Sequence, residues 1–257
     1  MFNITAIPAF NDNYIWALST ADSCDVAVVD PGDAVAVNNY LKKNKLNLTT
    51  ILITHHHHDH TGGVNQLTAE HSLTVYGPAS SPFPGIQQAL RSGDSITVLG
   101  KMLQIEEVPG HTLDHISYFH DAKTPQLLCG DTLFLAGCGR LFEGSAAQML
   151  GSMNYFKQLP ADTQIYCTHE YSLANLAFAA AVEPANSDIK KSIDKCRALR
   201  NENIPTIPSS IATEMQINPF LRTTESTVIT AAEQFSGRKV LSETDVFAAI
   251  REWKNQF

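Results

Sequence analysis

One stretch constrains this chain more than any other: a short apolar segment that ends in a cluster of histidines. Residues 51–53 are leucine and isoleucine, which predicts a buried strand, and residues 54–63 follow as THHHHDHTGG. Side chains alternate in extended backbone, so His55 and His57 can face the same side and bind one metal ion. Asp59 and His60 lie where the chain turns into the next helix and can face a second ion. Imidazole together with carboxylate favours zinc or a similar first-row metal.

The composition is that of a soluble globular protein with an ample core. Hydrophobic residues make up 44% and charged residues 17%, and 26 acids against 18 bases give a net charge of −8. No basic run is longer than a pair such as Lys42-Lys43 or Lys190-Lys191, so we expect no binding to nucleic acid or to anionic membranes. No apolar run approaches the ~20 residues that span a bilayer, and residues 1–5 lack the charged and apolar regions expected of a signal peptide. Five scattered cysteines suggest reduced thiols, and hence a cytoplasmic protein.

Two parts of the chain differ in their periodicity. Residues 1–165 alternate short apolar strands with turns and a few helices, whereas residues 166–257 carry alanine-rich helical spacing. We therefore predict a strand-rich domain over 1–165 and a smaller helical domain over 166–257. The predicted helices include 34–44, 62–71 and 145–159 in the first part and 173–182, 189–200, 227–235 and 243–253 in the second.

Two ions need more donors than one loop offers, and three further positions resemble the first. His111, Asp131 and His169 each follow an apolar strand directly and have small or turn-forming residues around them. Functional side chains gather at such strand ends because the sheet holds them rigidly. With the four donors of residues 55–60, these positions supply seven ligands, enough for two ions that share one bridging residue.

These residues, in this order, resemble the metallo-β-lactamase-fold hydrolases, and within them the glyoxalase II (hydroxyacylglutathione hydrolase) family. The metal motif indicates the superfamily, while the segment 136–140 and the C-terminal part indicate the family. The matching segments are Phe10–Tyr14, Asp30–Gly32, Thr54–Gly63, Pro109–Thr112, Gly130–Phe134, Ala136–Arg140 and Thr168–Tyr171.

The resemblance implies an α+β fold, a four-layer αββα sandwich with a smaller C-terminal α-helical domain. It implies two divalent ions per chain, zinc in the first place, with iron or manganese as alternatives. The first ion would be held by His55, His57 and His111, the second by Asp59, His60 and His169, with Asp131 bridging both.

The chemistry expected of such a site is hydrolysis of an acyl bond. Two ions ~3.5–4 Å apart can share a water, held against Asp131 and Asp59, and lower its pKa toward ~7. The site keeps a net positive charge, which favours the oxyanion that forms when hydroxide attacks a carbonyl. A thiolate leaving group, with a pKa near ~8.5, requires no general acid. The resemblance implies the substrate: S-D-lactoylglutathione, cleaved to glutathione and D-lactate in methylglyoxal detoxification.

The resemblance also implies a basic pocket for anionic glutathione on this acidic protein. Arg251 and Lys254 lie three apart in the last helix and would bind the glycine carboxylate, although such a pair also suits a solvated helix end. Arg140 and Tyr171 would line the same pocket. Phe142 stands where some family members have a tyrosine, so one hydrogen bond to the tripeptide is lost or replaced.

Other polar residues receive structural interpretations. We expect His56 and His58 to point away from the metals, Asp30 to brace a loop, Asp114 to lie on the surface and Cys138 to be no nucleophile; His71, His115 and His120 would be structural or solvent-facing. Three alternatives stay open: an iron-dependent persulfide dioxygenase with one metal, a lactonase or β-lactamase-like hydrolase, and a non-catalytic interaction module. We expect a monomer.

Overall fold

The computed structural model describes residues 1–257, which form fourteen strands and nine helices. The strands are β1 (Asn3–Ala9), β2 (Asn13–Ser19), β3 (Asp25–Val29), β4 (Asn47–Leu52), β5 (Thr74–Pro78), β6 (Gln88–Leu90), β7 (Ser95–Val98), β8 (Lys101–Glu107), β9 (Ile116–His120), β10 (Gln126–Gly130), β11 (Leu133–Phe134), β12 (Gly137–Cys138), β13 (Gln164–Cys167) and β14 (Ser209–Ser210). The helices are α1 (Ala34–Asn44), α2 (His58–Thr61), α3 (Val64–Glu70), α4 (Ala146–Phe156), α5 (Ser172–Val182), α6 (Ser187–Asn201), α7 (Ile211–Ile217), α8 (Ser226–Ser236) and α9 (Glu243–Gln256).

Two six-stranded sheets form the centre of the molecule. The first has the order β1-β2-β3-β4-β5-β6, with antiparallel pairs at the β1 end and parallel pairs from β3 to β6. The second has the order β14-β13-β10-β9-β8-β7. In it β9 runs antiparallel to both β8 and β10, and β13 runs parallel to β10. The carboxyl ends of β8, β10 and β13 therefore lie at the same edge of the second sheet.

Two apolar cores give the layers of the sandwich. A core of 39 buried residues takes side chains from both sheets and from helices α4, α5, α8 and α9. A second core of 15 buried residues lies between the first sheet and helices α1 and α3. The alternation of inward and outward residues along each strand supplies both faces of the first sheet, because successive side chains point to opposite sides. Helix, sheet, sheet and helix thus stack in the predicted αββα order.

Helices α5 to α9 make up the C-terminal part, and β14 joins them to the second sheet by pairing with β13. Helix α9 packs on α8 and on α4, so this part contacts the sandwich directly. No helix combines the length and the apolarity that a membrane crossing requires.

The longer predicted elements are confirmed, and several short ones were missed. Helix α1 has the predicted bounds, and Asp33 caps its N-terminus, because the Asp33 carboxylate accepts hydrogen bonds from the amides of Val35 and Ala36. The sequence did not predict β6, β11, β12, β14 or α7, all of two to seven residues. The predicted division after residue 165 falls within β13 and stays a prediction.

Candidate metal centre

Seven polar side chains meet where β4 of the first sheet and β8, β10 and β13 of the second sheet end. The loop after β4 brings four of them, and each of the other three strands brings one. Three groups of donor atoms arise, each with all atoms within 4.8 Å of one another. The first is His55, His57 and His111, the second is Asp59, His60 and His169, and the third, His55, His60 and Asp131, links the other two. All seven residues that the sequence singled out as ligands are thus brought together in space.

Three imidazole nitrogens form the first group. Nδ1 of His57 lies 3.1 Å from Nε2 of His55 and 3.1 Å from Nε2 of His111. Nδ1 of His111 donates to the carbonyl oxygen of Arg140 at 2.9 Å, so its Nε2 carries a lone pair when the ring is neutral. Burial lowers the pKa of all three rings, which keeps them neutral at pH 7.

The tautomer of His55 follows from its neighbours. The Thr54 hydroxyl donates to Asp30 at 2.8 Å, so its oxygen can accept from Nδ1 of His55 at 3.1 Å. Nε2 of His55 is then also without a proton and faces His57. The lone pairs of His55 and His111 both face Nδ1 of His57, where a single proton could serve only one of them, whereas a cation between the three nitrogens would serve all. The donor set of the first group therefore fits a metal ion.

Asp59, His60 and His169 form the second group. Oδ2 of Asp59 lies 3.5 Å from Nε2 of both His60 and His169. The His60 ring is fully buried, and its Nδ1 lies 3.0 Å from the Asp30 carboxylate, but its Nε2 has no hydrogen-bond partner within the chain. A buried ring nitrogen without a partner is costly, and a metal ion would remove that cost. The second group therefore fits a metal ion as well.

Asp131 lies between the two groups. Its Oδ2 is 3.1 Å from Nε2 of His169 and 3.5 Å from Nε2 of His111, and its Oδ1 is 3.6 Å from Nε2 of His60. Burial by itself would raise the pKa of Asp131, but the charges of His60 and His169 hold that pKa well below its usual range. Asp131 is therefore ionised and contacts rings from both groups.

Partners outside the cluster fix the orientation of its histidines, as is usual for metal ligands. Asp12 lies 2.8 Å from Nδ1 of His169, and Asp30 lies 3.0 Å from Nδ1 of His60. His115 stacks on His55 with ring centroids 4.6 Å apart and accepts the backbone N–H of Asp131 at 3.1 Å. Burial lowers the pKa of His115 to about 3, so it stays neutral and can accept. The loop-bracing role expected of Asp30 is confirmed by its bonds to Thr54.

Sequence reasoning assigned no role at the site to Asp12 and only a structural or solvent-facing one to His115. Asp12 belongs to the segment Phe10–Tyr14, which was noted only for its resemblance, so that match was the available signal. His115 follows His111 by four residues in a segment without helical spacing, and nothing in its local pattern indicates stacking on His55.

Asp114 was expected on the surface, and this expectation is wrong. Asp114 is 4% exposed and bonds Nδ1 of His56 at 2.9 Å, while Nε2 of His56 lies 3.4 Å from Glu143. The sequence could not show this contact because His56 and Asp114 lie 58 residues apart. His56 thus points away from the cluster, as expected. The exposed His58 likewise contributes to none of the groups that contain His55, His57 or His60.

Three residues expected at the substrate surround the mouth of the cluster. Phe142 is 61% exposed, and its ring centroid lies 5.6 Å from that of His57 and 5.3 Å from that of His111. The exposed Arg140 guanidinium lies 5.6 Å from the Phe142 ring. Tyr171 stacks on His169 at 4.6 Å and is 38% exposed, and burial of part of the ring raises its pKa to about 12. These side chains form an aromatic and basic rim beside the metal ligands.

Arg251 and Lys254 differ in their surroundings although they lie on one helix. Arg251 is 6% exposed, and its Nη1 donates to the carbonyl oxygen of Cys138 at 2.9 Å. Lys254 is half-buried and donates to the carbonyl oxygen of Ala174 at 3.3 Å. Burial, with the charge of Arg251, lowers the pKa of Lys254. Lys254 is therefore the more accessible of the two cations.

Comparison with known proteins gives the family. The description "Metallo-beta-lactamase superfamily" matches residues 22–169, and "Hydroxyacylglutathione hydrolase C-terminus" matches residues 170–257. The hydroxyacylglutathione hydrolases of Hahella chejuensis and Pseudomonas aeruginosa are 51% and 50% identical to the chain, each over the full length of both proteins. This chain belongs to the hydroxyacylglutathione hydrolase family. The Vibrio campbellii relative with the same name is 48% identical over the full length of both.

Solved structures of more distant proteins share this fold. ETHE1 from Myxococcus xanthus superposes with a TM-score of 0.67 at 21% identity, covering 98% of this chain and 91% of that one. The BLEG-1 B3 metallo-beta-lactamase gives 0.63 at 24% identity, covering 86% and 99%. The hydroxyacylglutathione hydrolase family, within the metallo-β-lactamase superfamily, accounts for the fold, and with the donor set it makes the cluster a divalent-metal site.

Proposed function

We propose that this metal-dependent hydrolase cleaves the thioester of S-(2-hydroxyacyl)glutathione, chiefly S-D-lactoylglutathione, to glutathione and D-lactate. The observation that carries the proposal is the pair of donor groups, one of three imidazoles and one of two imidazoles and a carboxylate, with Asp131 between them. Full-length relatives named hydroxyacylglutathione hydrolase support the substrate class. We expect the active unit to be a monomer.

Two divalent ions would occupy these groups, zinc first, with iron or manganese as alternatives. The first group would hold one ion, the second group the other, and Asp131 both; the residues are His55, His57 and His111, then Asp59, His60 and His169. Such ions supply an acidified water near neutral pH and polarise a carbonyl oxygen. The rings of the first group are neutral, and their nitrogen lone pairs face one another, which suits them to bind a cation.

Within this site, Asp59 and Asp131 would orient the attacking water and accept its hydrogen bonds. In the metal-free chain burial would raise the pKa of both carboxylates, but His60 and His169 hold it below the usual range, and bound cations would keep both ionised in the same way. The departing thiolate is a stable anion, with an ordinary thiol pKa near ~8.5. A thioester therefore needs no proton donor at its sulfur, and none of the cluster residues has to serve as one.

Glutathione would bind across the aromatic and basic rim beside the metal ligands. Lys254 and Arg140 are accessible cations that can meet its carboxylates, and the hydroxyl of Tyr171 can donate to the tripeptide. Arg251 would act with Lys254, although its Nη1 is already bonded to Cys138. Phe142 offers an apolar ring at the same rim and no hydroxyl.

The test combines metal content with a substrate panel. The purified protein, loaded with Zn²⁺, is expected to hold two ions per chain and to hydrolyse S-D-lactoylglutathione far faster than a lactone or a β-lactam. One ion per chain, with oxygen uptake in the presence of glutathione persulfide, would instead favour the mononuclear dioxygenase. That alternative leaves the donors Asp59, His60 and His169 without a role, which is why we favour hydrolysis.

A variant pair separates substrate recognition from chemistry. Replacing Lys254 and Arg140 together with alanine is expected to raise KM for the glutathione thioester with little change in kcat, because uniform binding is lost and neither side chain bonds the ligands. The same pair should leave any activity on a small non-glutathione thioester unaltered. An unchanged KM would contradict the substrate assignment while leaving the metal-ligand assignment intact.

A further inference from the structure

The short hairpin formed by β11 and β12 is an unusual element, because side chains from outside hold its turn. Leu133 pairs with Cys138 and Phe134 with Gly137, so the ladder has only two pairs. A hairpin of this size is not stable by itself in water. Ala136, in its turn, has a φ of +53°, a left-handed conformation that a residue with a Cβ rarely adopts. Contacts from elsewhere must therefore keep the hairpin in place.

The helical part supplies those contacts through four buried side chains, of which Arg251 donates to the carbonyl oxygen of Cys138 and the other three bond the turn and its flanks. The carboxylate of Glu214 accepts the N–H of Ala136 at 2.7 Å. The amide of Asn218 donates to the carbonyl oxygens of Gly137 at 2.9 Å and Phe134 at 3.2 Å. The amide of Asn175 donates to the carbonyl oxygen of Leu135 at 3.1 Å. Helices α5 and α7 thus satisfy four backbone groups of one hairpin, none of which could reach water.

Glu214 and Asn218 are themselves held in fixed orientations. Asn218 donates to Glu214 at 3.0 Å and accepts the N–H of Phe220 at 3.1 Å, while Ser209 donates to the other oxygen of Glu214. Both side chains are 0% exposed, and no Lys, Arg or His contacts Glu214. A buried carboxyl without a cationic partner is costly in free energy, so hydrogen bonds must offset that cost. Glu214 makes them with the hairpin, with Asn218 and with Ser209.

The far end of the hairpin contacts the candidate metal ligands. Gly139 follows β12, and a Cβ placed on it would overlap the carbonyl oxygen of Asp131 and lie 3.0 Å from Nδ1 of His111. The next residue, Arg140, provides the carbonyl oxygen that orients the His111 ring. The N–H of Gly139 also donates to the carbonyl oxygen of Thr132, beside Asp131. A displacement of the hairpin would therefore move two ligands, one that serves the first ion and one that serves both.

We propose that Glu214 and Asn218 are positioning residues for the metal centre, which hold the hairpin so that Asp131 and His111 face the ions. The inference rests on the ligand set of the proposed function. It gives the helical part a role at the metals in addition to its expected role in binding glutathione.

The experiment compares Glu214→Ala with Glu214→Gln. Glutamine can still accept from Ala136 and Asn218 through its oxygen, and its NH₂ group can donate to Ser209, whereas alanine leaves the hairpin amide unpaired. The readouts are the apparent dissociation constant for Zn²⁺, measured by competition with a chromophoric chelator, and the visible spectrum of the Co²⁺-loaded protein. We expect Glu214→Ala to bind Zn²⁺ at least about tenfold more weakly with an altered spectrum, and Glu214→Gln to resemble the wild type.

Glu183→Ala is the matched control for loss of a buried acid. Glu183 is 5% exposed, lies in the same part of the chain and bonds Arg222 and Thr227, but makes no hydrogen bond to the hairpin. It is expected to lower the melting temperature and leave Zn²⁺ affinity and the Co²⁺ spectrum unchanged. Equal affinities and spectra for Glu183→Ala and Glu214→Ala would overturn the inference.

A milder variant covers the case in which Glu214→Ala does not fold. Asn175→Ala removes a single bond to the hairpin, so a smaller but measurable loss of Zn²⁺ affinity is expected, and wild-type affinity would overturn the proposal. The metal content of the wild type tests the ligand set separately from the positioning role. Fewer than two ions in the wild type would contradict the ligand set, whereas two ions in the wild type and in Glu214→Ala with unaltered affinity would contradict only the positioning role.

Discussion

Two buried carboxylates, Asp131 in the metal centre and Glu214 in the helical part, show how differently the two regions treat charge. Burial disfavours ionisation at both. At Asp131 the neighbouring His60 and His169 outweigh it and the pKa falls, whereas at Glu214 nothing cationic is near and the pKa rises to about 7. The metal centre gathers donors around a place for cations, while the helical part uses its acid as a hydrogen-bond acceptor for the neighbouring backbone. Burial alone therefore does not identify a catalytic carboxylate; its partners do.

The strongest test of this contrast is Asp131→Asn. The amide keeps the size of the side chain but loses the charge that both donor groups contact, so we expect kcat/KM on S-D-lactoylglutathione to fall on the order of 10³-fold. Asp33→Asn is the control, because asparagine caps helix α1 as well as aspartate does. Activity within a few fold of the wild type would show that Asp131 is not central to the site.

Glu214, the other carboxyl group of this comparison, should make the stability of the protein depend on pH. The folded pKa of Glu214 is about 7, above the ordinary 4.5, so the wild type loses stability as pH rises from about 4.5 to about 7. Glu214→Gln cannot ionise. The difference between its free energy of unfolding and that of the wild type should therefore shift in favour of the variant by roughly 3 kcal/mol over this window and stay constant at higher pH. Urea unfolding of metal-free protein at pH 4.5, 6, 7 and 8 measures this difference. A difference that does not vary with pH would mean that Glu214 ionises normally.

Partners of the ligands sharpen the comparison further. Asp12 orients His169 from outside the cluster, so Asp12→Ala should weaken binding of one Zn²⁺ ion by about 10- to 100-fold and leave the other unchanged. Chelator competition resolves the two ions. The exposed Asp22→Ala provides a control of equal charge change. An equal loss of affinity for both ions would show that Asp12 acts through overall charge and not through His169.

The smallest expected effect concerns the half-buried cation of the helical part. Lys254→Ala should raise KM for S-D-lactoylglutathione about fivefold, the worth of one partly exposed ion pair, with kcat retained. The change should shrink as salt is added, because screening weakens such pairs. Lys239→Ala, in the segment between α8 and α9, serves as control. A fall in kcat instead of a rise in KM would imply that Lys254 supports the metal centre.

Much of the cluster could be read from local pattern, and the rest could not for a physical reason. His111, Asp131 and His169 each follow a strand, and parallel directions of β8, β10 and β13 bring such positions to one edge. Asp114 was misplaced on the surface because its partner His56 lies far away in sequence. Helix α7 was missed because seven residues carry little periodicity, and with it the contacts of Glu214 to the hairpin.

The sequence by itself determined the longer strands and helices, the run of imidazoles after β4 and the family, since these depend on local periodicity and on residue identity. Only the tertiary structure decided which polar groups share a partner: that Asp131 lies between two donor groups, that Arg251 is bonded to Cys138, and that α7 holds β11 and β12. Such pairings depend on distances between segments far apart in the chain, and free energies of burial and hydrogen bonding act on those distances.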